Sequence, residues 1–453
     1  MADTHFAILD EQKLNAFHWR AIVVTGLGVF CDGYDISSIA LVLTPALAAY
    51  HVTGAGNIAY IKGWLTAAAL IGSMVGSLVF GALAQKGRKR FYGVDALILG
   101  IAALGQAFMP TWVALVACRF ILGIGVGADY VLSPTIMAEH ANRADRGKAI
   151  GLGFGTMWPI GALAAGLFYL LLQTFNVSPD LSWKLVLAGG AVPALGVIYF
   201  RRTMPESPRF LARVAADQQQ AHAVMRQLAG EHAPPPSVDT RPFWNVFKQH
   251  APHIFAGAVL WMVYDLVVYA AILFGPDIIA QNLGIPASIY QIMTELIFVI
   301  PPSILFSWFL LDRFGRKPVQ VWGFAAGAVT LVLFAWMRAS IPTASLMAYV
   351  VYGLFNVAQT GPGLVSGAGV YGVELAPTRI RSIAQSITVV GGRIGATIAA
   401  FVFPQLNQHI GFVGAILGLA ALSLLGAVLS QLLVPETSSR SLEEINLEHA
   451  GAT

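Results

Sequence analysis

The sequence predicts an all-α membrane protein in which twelve transmembrane helices form two six-helix, pseudo-symmetric halves, and three observations carry that reading. Of the 453 residues, 57% are apolar and only 11% charged; soluble domains carry roughly 25% Asp, Glu, Lys and Arg, so this chain cannot cover an ordinary water-facing surface. Apolar blocks begin near positions 20, 61, 91, 111, 148, 183, 253, 288, 318, 343, 382 and 412, and a helix needs about 20 mostly apolar residues to cross a bilayer. Three short motifs also recur in the same order at an offset of about 230 residues: Gly87-Arg88-Lys89 as Gly315-Arg316-Lys317, Glu139 with Arg146 as Glu374 with Arg381, and Pro205-Glu206-Ser207 as Pro435-Glu436-Thr437. A duplicated six-helix unit explains all three.

Residues 1–19 mix acids and bases without a long apolar core, and so read as a cytoplasmic N-terminal segment rather than a cleaved signal peptide. Residues 20–202 hold the first six spans and 253–434 the second six. Between them, 203–252 form a cytoplasmic loop that collects Gln218-Gln219-Gln220, Pro234-Pro235-Pro236 and most of the soluble charge, and 435–453 form a cytoplasmic tail. Basic residues set the orientation. With both termini inside, 22 of the 27 Lys and Arg face the cytoplasm, Lys62, Lys184 and Arg338 lie outside, and Arg119 and Arg393 fall within spans. The expected setting is the lipid bilayer of a plasma (inner) membrane, with the chain as a monomer.

The net charge of +4 reflects this topology. No basic stripe with interleaved aromatics is present, so a nucleic-acid partner is not expected. Cys31 and Cys118 fall in apolar stretches, where a small hydrophobe is the simpler role. His140 has no partner at metal spacing, and neither a metal nor another cofactor is expected. The chain lacks HExxH, a Gly-x-Ser-x-Gly elbow and a P-loop, which argues against an enzyme and against ATP-driven chemistry.

The residues now resemble the major facilitator superfamily over essentially the whole chain. Asp312-Arg313 before Gly315-Arg316-Lys317 matches the loop motif between the second and third helices of each half, whereas the first copy has Gln85 where an Asp is usual. Pro205-Glu206-Ser207-Pro208-Arg209 and the terminal Pro435-Glu436-Thr437 resemble the branch of sugar, phosphate and organic-ion transporters. Within it, Gly125-Val126-Gly127-Ala128-Asp129-Tyr130 and Trp261…Asp265…Tyr269 resemble the phosphate:proton symporters. That resemblance implies that Asp129, Tyr130, Trp261, Asp265 and Tyr269 line a phosphate site. Trp158 stands where that family has a glutamine, Arg393 where it has a lysine, and Gly361-Pro362-Gly363 where it has Gly-Pro-Asn. Cys31-Asp32-Gly33-Tyr34-Asp35 and Gly392-Arg393-Ile394-Gly395 also resemble the aromatic-acid:proton symporters.

A charge at the bilayer centre costs about 2.5–3.5 kcal/mol on insertion scales, so each embedded charge needs a reason. Asp32 and Asp35, three apart, share a helix face; they either pair with Arg119 or carry protons. Arg119 is expected to be structural, paired with Asp32, Asp35 or Asp95. Trp261, Asp265 and Tyr269 recur every four residues, within about 80° of a helix circumference, so one face offers an indole N–H, a carboxyl group and a phenol. An aromatic packing stripe is the plainer alternative, but a carboxylate at its centre argues for a cavity. Arg393 carries a planar fork that can donate two parallel hydrogen bonds to a phosphate or carboxylate; the other reading is an ion pair with an aspartate. Glu295 is placed near the outer interface. Glu139, Arg146, Glu374 and Arg381, at cytoplasmic helix ends with Arg88, Asp312 and Arg316, are expected to latch the outward-open state.

The expected function is a proton-coupled symporter of a small anion, inorganic phosphate first, working by alternating access. Tyr130, Trp158, Trp261, Asp265, Tyr269 and Arg393 would bind the anion, and Asp32, Asp35, Asp129 and Asp265 would handle protons. An aromatic carboxylate is the alternative substrate, which the flat wall of Trp158 would suit. A sugar transporter or a transporter-like nutrient sensor stands further off.

Overall fold

The computed structural model describes residues 6–229, 238–341, 343 and 345–448; Pro234-Pro235-Pro236 and the outermost residues of both termini lie outside that set. Asn15 caps the first span, accepting from the backbone N–H groups of Phe17 and His18, and the helix runs Ala16–Ala49. The remaining spans of the first half are Ala55–Leu83, Val94–Gln106, Trp112–His140, Arg146–Thr174 and Pro179–Arg202. Those of the second half are Phe243–Phe274, Ala287–Phe314, Arg316–Ser340, Ser345–Pro362 continued by Val370–Glu374, Arg381–His409 and Gly411–Leu433. Ten of these helices, among the described residues, are long and apolar enough to cross a membrane alone. The third has only 13 residues, and the tenth is interrupted around Gly369, whose φ of 69° ends one helical piece before the next begins.

The seventh span starts at Phe243, inside the stretch read from sequence as loop. Pro242 precedes its first turn, and Val246 is buried with Ile254, Ala376, Ile380 and Ala384, so this amphipathic start is held by an apolar contact to the eleventh span. The central loop itself contains two short helices, Pro208–Arg213 and Gln218–Ala229.

The repeated motifs meet in space. Glu206, just after the first half, accepts from the Lys89 backbone N–H at 3.1 Å, and Glu436, just after the second, accepts from the N–H groups of Arg316 and Lys317, both at 3.0 Å. Each Pro-Glu-Ser/Thr motif thus places a carboxylate at the positive N-terminus of a helix opened by the Gly-Arg-Lys motif. Gly87 and Gly315, with φ of 130° and 98°, supply the turn that a side chain would strain.

Gly391 and Gly395 bring the seventh and eleventh spans together: a Cβ on either would collide with the backbone carbonyl of Ala258 or Met262. Small residues permit such backbone contact between membrane helices, and Arg393 lies between the two glycines. Five helical pieces with π-type turns occur among the described residues, and three of them, Gly151–Thr156, Thr294–Val299 and Gly363–Gly367, lie in the fifth, eighth and tenth spans; such turns are frequent at functional sites.

Candidate functional site

Those three π-type segments converge on one cavity of about 130 Å³ between the halves. Phe154 and Gly155 come from the fifth span, Thr294, Glu295 and Val299 from the eighth, and Gly363, Leu364 and Gly367 from the tenth. An apolar cavity of about 150 Å³ holds a benzene ring, so the space suits a small solute.

Tyr130, Trp158, Trp261, Asp265, Tyr269 and Arg393 all line it. Trp261, Asp265 and Tyr269 present one face of the seventh span to the cavity and are almost fully buried. Arg393 reaches across from the eleventh span: Nη1 donates to the Tyr269 hydroxyl and lies 3.4 Å from Asp265 Oδ2. Its guanidinium carbon stands 4.1 Å from the centre of the Tyr130 ring, a cation–π arrangement. Phe154 meets Tyr130 edge-on at 4.9 Å and holds that ring in place. Arg393 Nε and Nη2 are buried without a hydrogen-bond partner among the described residues. The ion pair with an aspartate is thus present, and it leaves two donors of the fork unpartnered.

The lining also holds acceptors. Glu295, placed near the outer interface by sequence, is 6% exposed and lines the cavity. Asn356, Gln359 and Thr360 of the tenth span line it too, and the sequence singles out none of them. Their isolated amides and hydroxyls carry no motif; only the tertiary fold collects them.

The other embedded acids lie inside the first half. Asp32 and Asp35 are fully buried, and none of their four carboxylate oxygens has a hydrogen-bond partner among the described residues. Arg119 does not pair with them: it donates to the Leu65 carbonyl at 2.6 Å and to Gln106 Oε1 at 3.0 Å. Asp95 and Asp129 instead share Arg201, whose Nη1 bonds Asp95 and whose Nη2 reaches Asp129 Oδ1 at 2.5 Å. Asp129 also accepts from Ser133 at 2.6 Å. Arg201 sits near the end of the sixth span and was counted among the cytoplasmic charges. At 1% exposure its long side chain turns back into the bundle, which hydropathy at a helix end does not reveal.

At the end of the bundle that carries both termini, the charges interlock across the halves. Arg88 and Arg381 each reach Glu139 Oε1 at 3.1 Å; Arg146 and Arg316 reach Glu374 Oε1 at 2.7 and 3.2 Å. All six side chains are fully buried. Asp312 accepts from Arg316 at 2.7 Å and from the N–H groups of Gly147 and Lys148 at 3.1 and 2.8 Å, spanning the halves. Gln85, in the corresponding place, donates only to Ser382 Oγ, at 2.7 Å. Just below, Arg209 gathers the N-terminal segment and the tail, bonding Asp10 at 2.9 Å and Glu443 at 2.8 Å. Burial pushes the Asp10 carboxyl up to about 6 against the pull of Arg209. Burial acts on Glu443 in the same sense, but the paired Arg209 overrides it and holds that carboxyl down at about 2.

Comparison with known proteins gives concordant matches. The sugar (and other) transporter family matches residues 21–448. The chain is 30% identical over 497 residues to the probable inorganic phosphate transporter 1-6 of Arabidopsis thaliana, covering 97% of this chain and 95% of the relative. It is 31% identical over 508 residues to the probable inorganic phosphate transporter 1-12 of Oryza sativa subsp. japonica, covering 97% and 93%. Among solved structures, the proton:xylose symporter XylE bound to 6-bromo-6-deoxy-D-glucose superposes with a TM-score of 0.82 at 22% identity, covering 96% of this chain and 99% of that one. The inward open conformation of XylE from E. coli gives 0.70 at 23% identity, covering 95% and 99%.

Proposed function

The chain belongs to the sugar (and other) transporter family of the major facilitator superfamily, and from that premise we propose that it is a proton-coupled symporter of a small anion, inorganic phosphate first. One observation carries the proposal: Arg393 lines the cavity with Nε and Nη2 buried and unpartnered. Two such donors match two oxygens of a phosphate or carboxylate, and a buried donor left unpaired is costly. The relatives named as inorganic phosphate transporters support phosphate over other oxyanions.

Asp265, 3.4 Å from the same guanidinium, couples the proton to the anion. Protonation of a buried carboxyl responds to the cation beside it, and an anion on Arg393 competes for that cation. Proton and anion therefore bind as linked ligands. Asp32 and Asp35, buried without partners, and Asp129 extend the proton route through the first half. Both termini lie in the cytoplasm, and the halves rock about the cavity as the terminal-end ion pairs break and re-form.

The walls of Trp158 and Phe154 favour a second substrate, an aromatic carboxylate on the same arginine. A thermal-shift panel on purified protein tests both. Phosphate, or benzoate on the second reading, raises the melting temperature of the wild type and leaves Arg393→Ala unchanged. Stabilisation by neutral sugars alone contradicts the anion site.

A further inference from the structure

The cavity that holds Arg393 is also lined by acceptors that inorganic phosphate recognition at Arg393 leaves unused. Glu295 Oε1 accepts from Gln291 Nε2 at 2.9 Å, while Oε2 is buried with no partner among the described residues. Gln359 donates its amide nitrogen to Ser423 Oγ at 3.2 Å, which leaves Oε1 buried and unpartnered as well. Asn356 likewise turns its amide nitrogen to the Tyr352 carbonyl, at 3.0 Å. Glu295 makes no ion pair among the described residues, whereas Glu139, Glu374 and Asp265 all do. One cavity lining therefore holds both orphan donors, on Arg393, and orphan acceptors, on Glu295 and Gln359. Buried polar groups are paired in native structures unless a ligand or water supplies the missing partner.

We propose that the cavity has two subsites, and that besides inorganic phosphate it takes a small phosphate ester or related oxyanion carrying a second group, an ammonium or hydroxyl, that donates hydrogen bonds. The oxyanion sits on Arg393 Nε and Nη2; the donor group sits between Glu295 Oε2 and Gln359 Oε1. An ammonium satisfies both the hydrogen bonding and the charge of Glu295, and a hydroxyl satisfies the hydrogen bonding alone. Glu295 shares a four-residue spacing with Gln291, Val299 and Ser303, which line the same cavity, while Leu296 and Ile297 on the other side of the span are 48% and 47% exposed.

This proposal rests on the anion site at Arg393, and the test separates the two. Dissociation constants are measured by thermal-shift titration of purified full-length protein with inorganic phosphate, methyl phosphate, glycerol 3-phosphate and 2-aminoethyl phosphate. The proteins compared are wild type, Glu295→Gln, Gln359→Leu and Arg393→Ala. In the wild type the donor-bearing esters bind at least about tenfold tighter than methyl phosphate, and in Glu295→Gln and Gln359→Leu that ratio falls toward one. A preference for 2-aminoethyl phosphate over glycerol 3-phosphate identifies the ammonium as the recognised donor; the reverse order identifies the hydroxyl. Equal affinity of the three esters in the wild type overturns the second subsite, as does a ratio that survives both substitutions. If inorganic phosphate still binds through Arg393 in that case, the anion site stands; if no phosphate compound shifts the wild type, both fall.

Discussion

Glu139 of the first half accepts a hydrogen bond from Arg381 of the second at 3.1 Å, and Glu374 of the second accepts one from Arg146 of the first at 2.7 Å. The two halves thus exchange the same contact, each carboxylate also held by an arginine of its own half, Arg88 or Arg316. The repeated Glu–Arg spacing that marks the duplication in the sequence is satisfied across the halves, not within them. This crossed arrangement closes the terminal end of the molecule beneath the cavity.

Removing one member of such a buried pair leaves an uncompensated charge and costs about 3–5 kcal/mol. Arg146→Ala and Arg381→Ala each release one half from the other. Spin labels placed on the two halves at the terminal end report a longer distance in both variants, and the melting temperature falls.

The two loop motifs differ in strength. Asp312 accepts two backbone N–H groups of the opposite half and Arg316, whereas Gln85 makes one neutral bond, to Ser382. Hydrogen bonds to a charged group contribute about 1.5–3 kcal/mol and neutral ones about 0.5–1.5. Asp312→Asn should therefore destabilise the closed end more than Gln85→Ala, by the same distance measurement. Equal effects would contradict the asymmetry.

Arg201 is the sole cation bonded to Asp95 and Asp129 among the described residues. Its loss strands two buried carboxylates, so Arg201→Met should lower the melting temperature sharply. Asp95→Asn with Asp129→Asn in the same chain should restore part of it. A double-mutant cycle measures the coupling.

The Asp10–Arg209–Glu443 contact carries a pH signature. Asp10, raised from 3.8 to about 6 in the folded chain, binds protons more readily folded than unfolded, so its contribution weakens as pH rises from about 4 to 6. Glu443, lowered from 4.5 to about 2, contributes stability above about 4.5 that fades as pH falls toward 2. Melting curves of wild type minus Asp10→Asn should decline with rising pH over the first window. Wild type minus Glu443→Gln should rise with pH over the second.

Much of this architecture is legible in the sequence because the bilayer forces it: twelve apolar blocks and three duplicated motifs suffice for the fold. The four-residue spacing of Trp261, Asp265 and Tyr269 likewise places them on one face before any packing is known. Arg201 was hidden because hydropathy at a helix end does not say whether a long basic side chain turns outward or back into the bundle. Glu295 was hidden because a lone glutamate in an apolar block carries no motif; the four-residue spacing it shares with Gln291, Val299 and Ser303 marks a cavity face only once the fold has formed the cavity. The crossed Glu139–Arg381 and Glu374–Arg146 pairs needed the relative placement of the halves, which repeat spacing alone does not encode.

Coupling at Arg393 and Asp265 is tested most directly by uptake into vesicles reconstituted with purified protein, with radiolabelled phosphate outside and an inward proton gradient. The wild type should accumulate phosphate above the external concentration and lose the excess when the gradient is collapsed. Asp265→Asn should bring phosphate only to equilibrium, and Arg393→Ala should carry none. Undiminished uphill accumulation by Asp265→Asn would contradict the account.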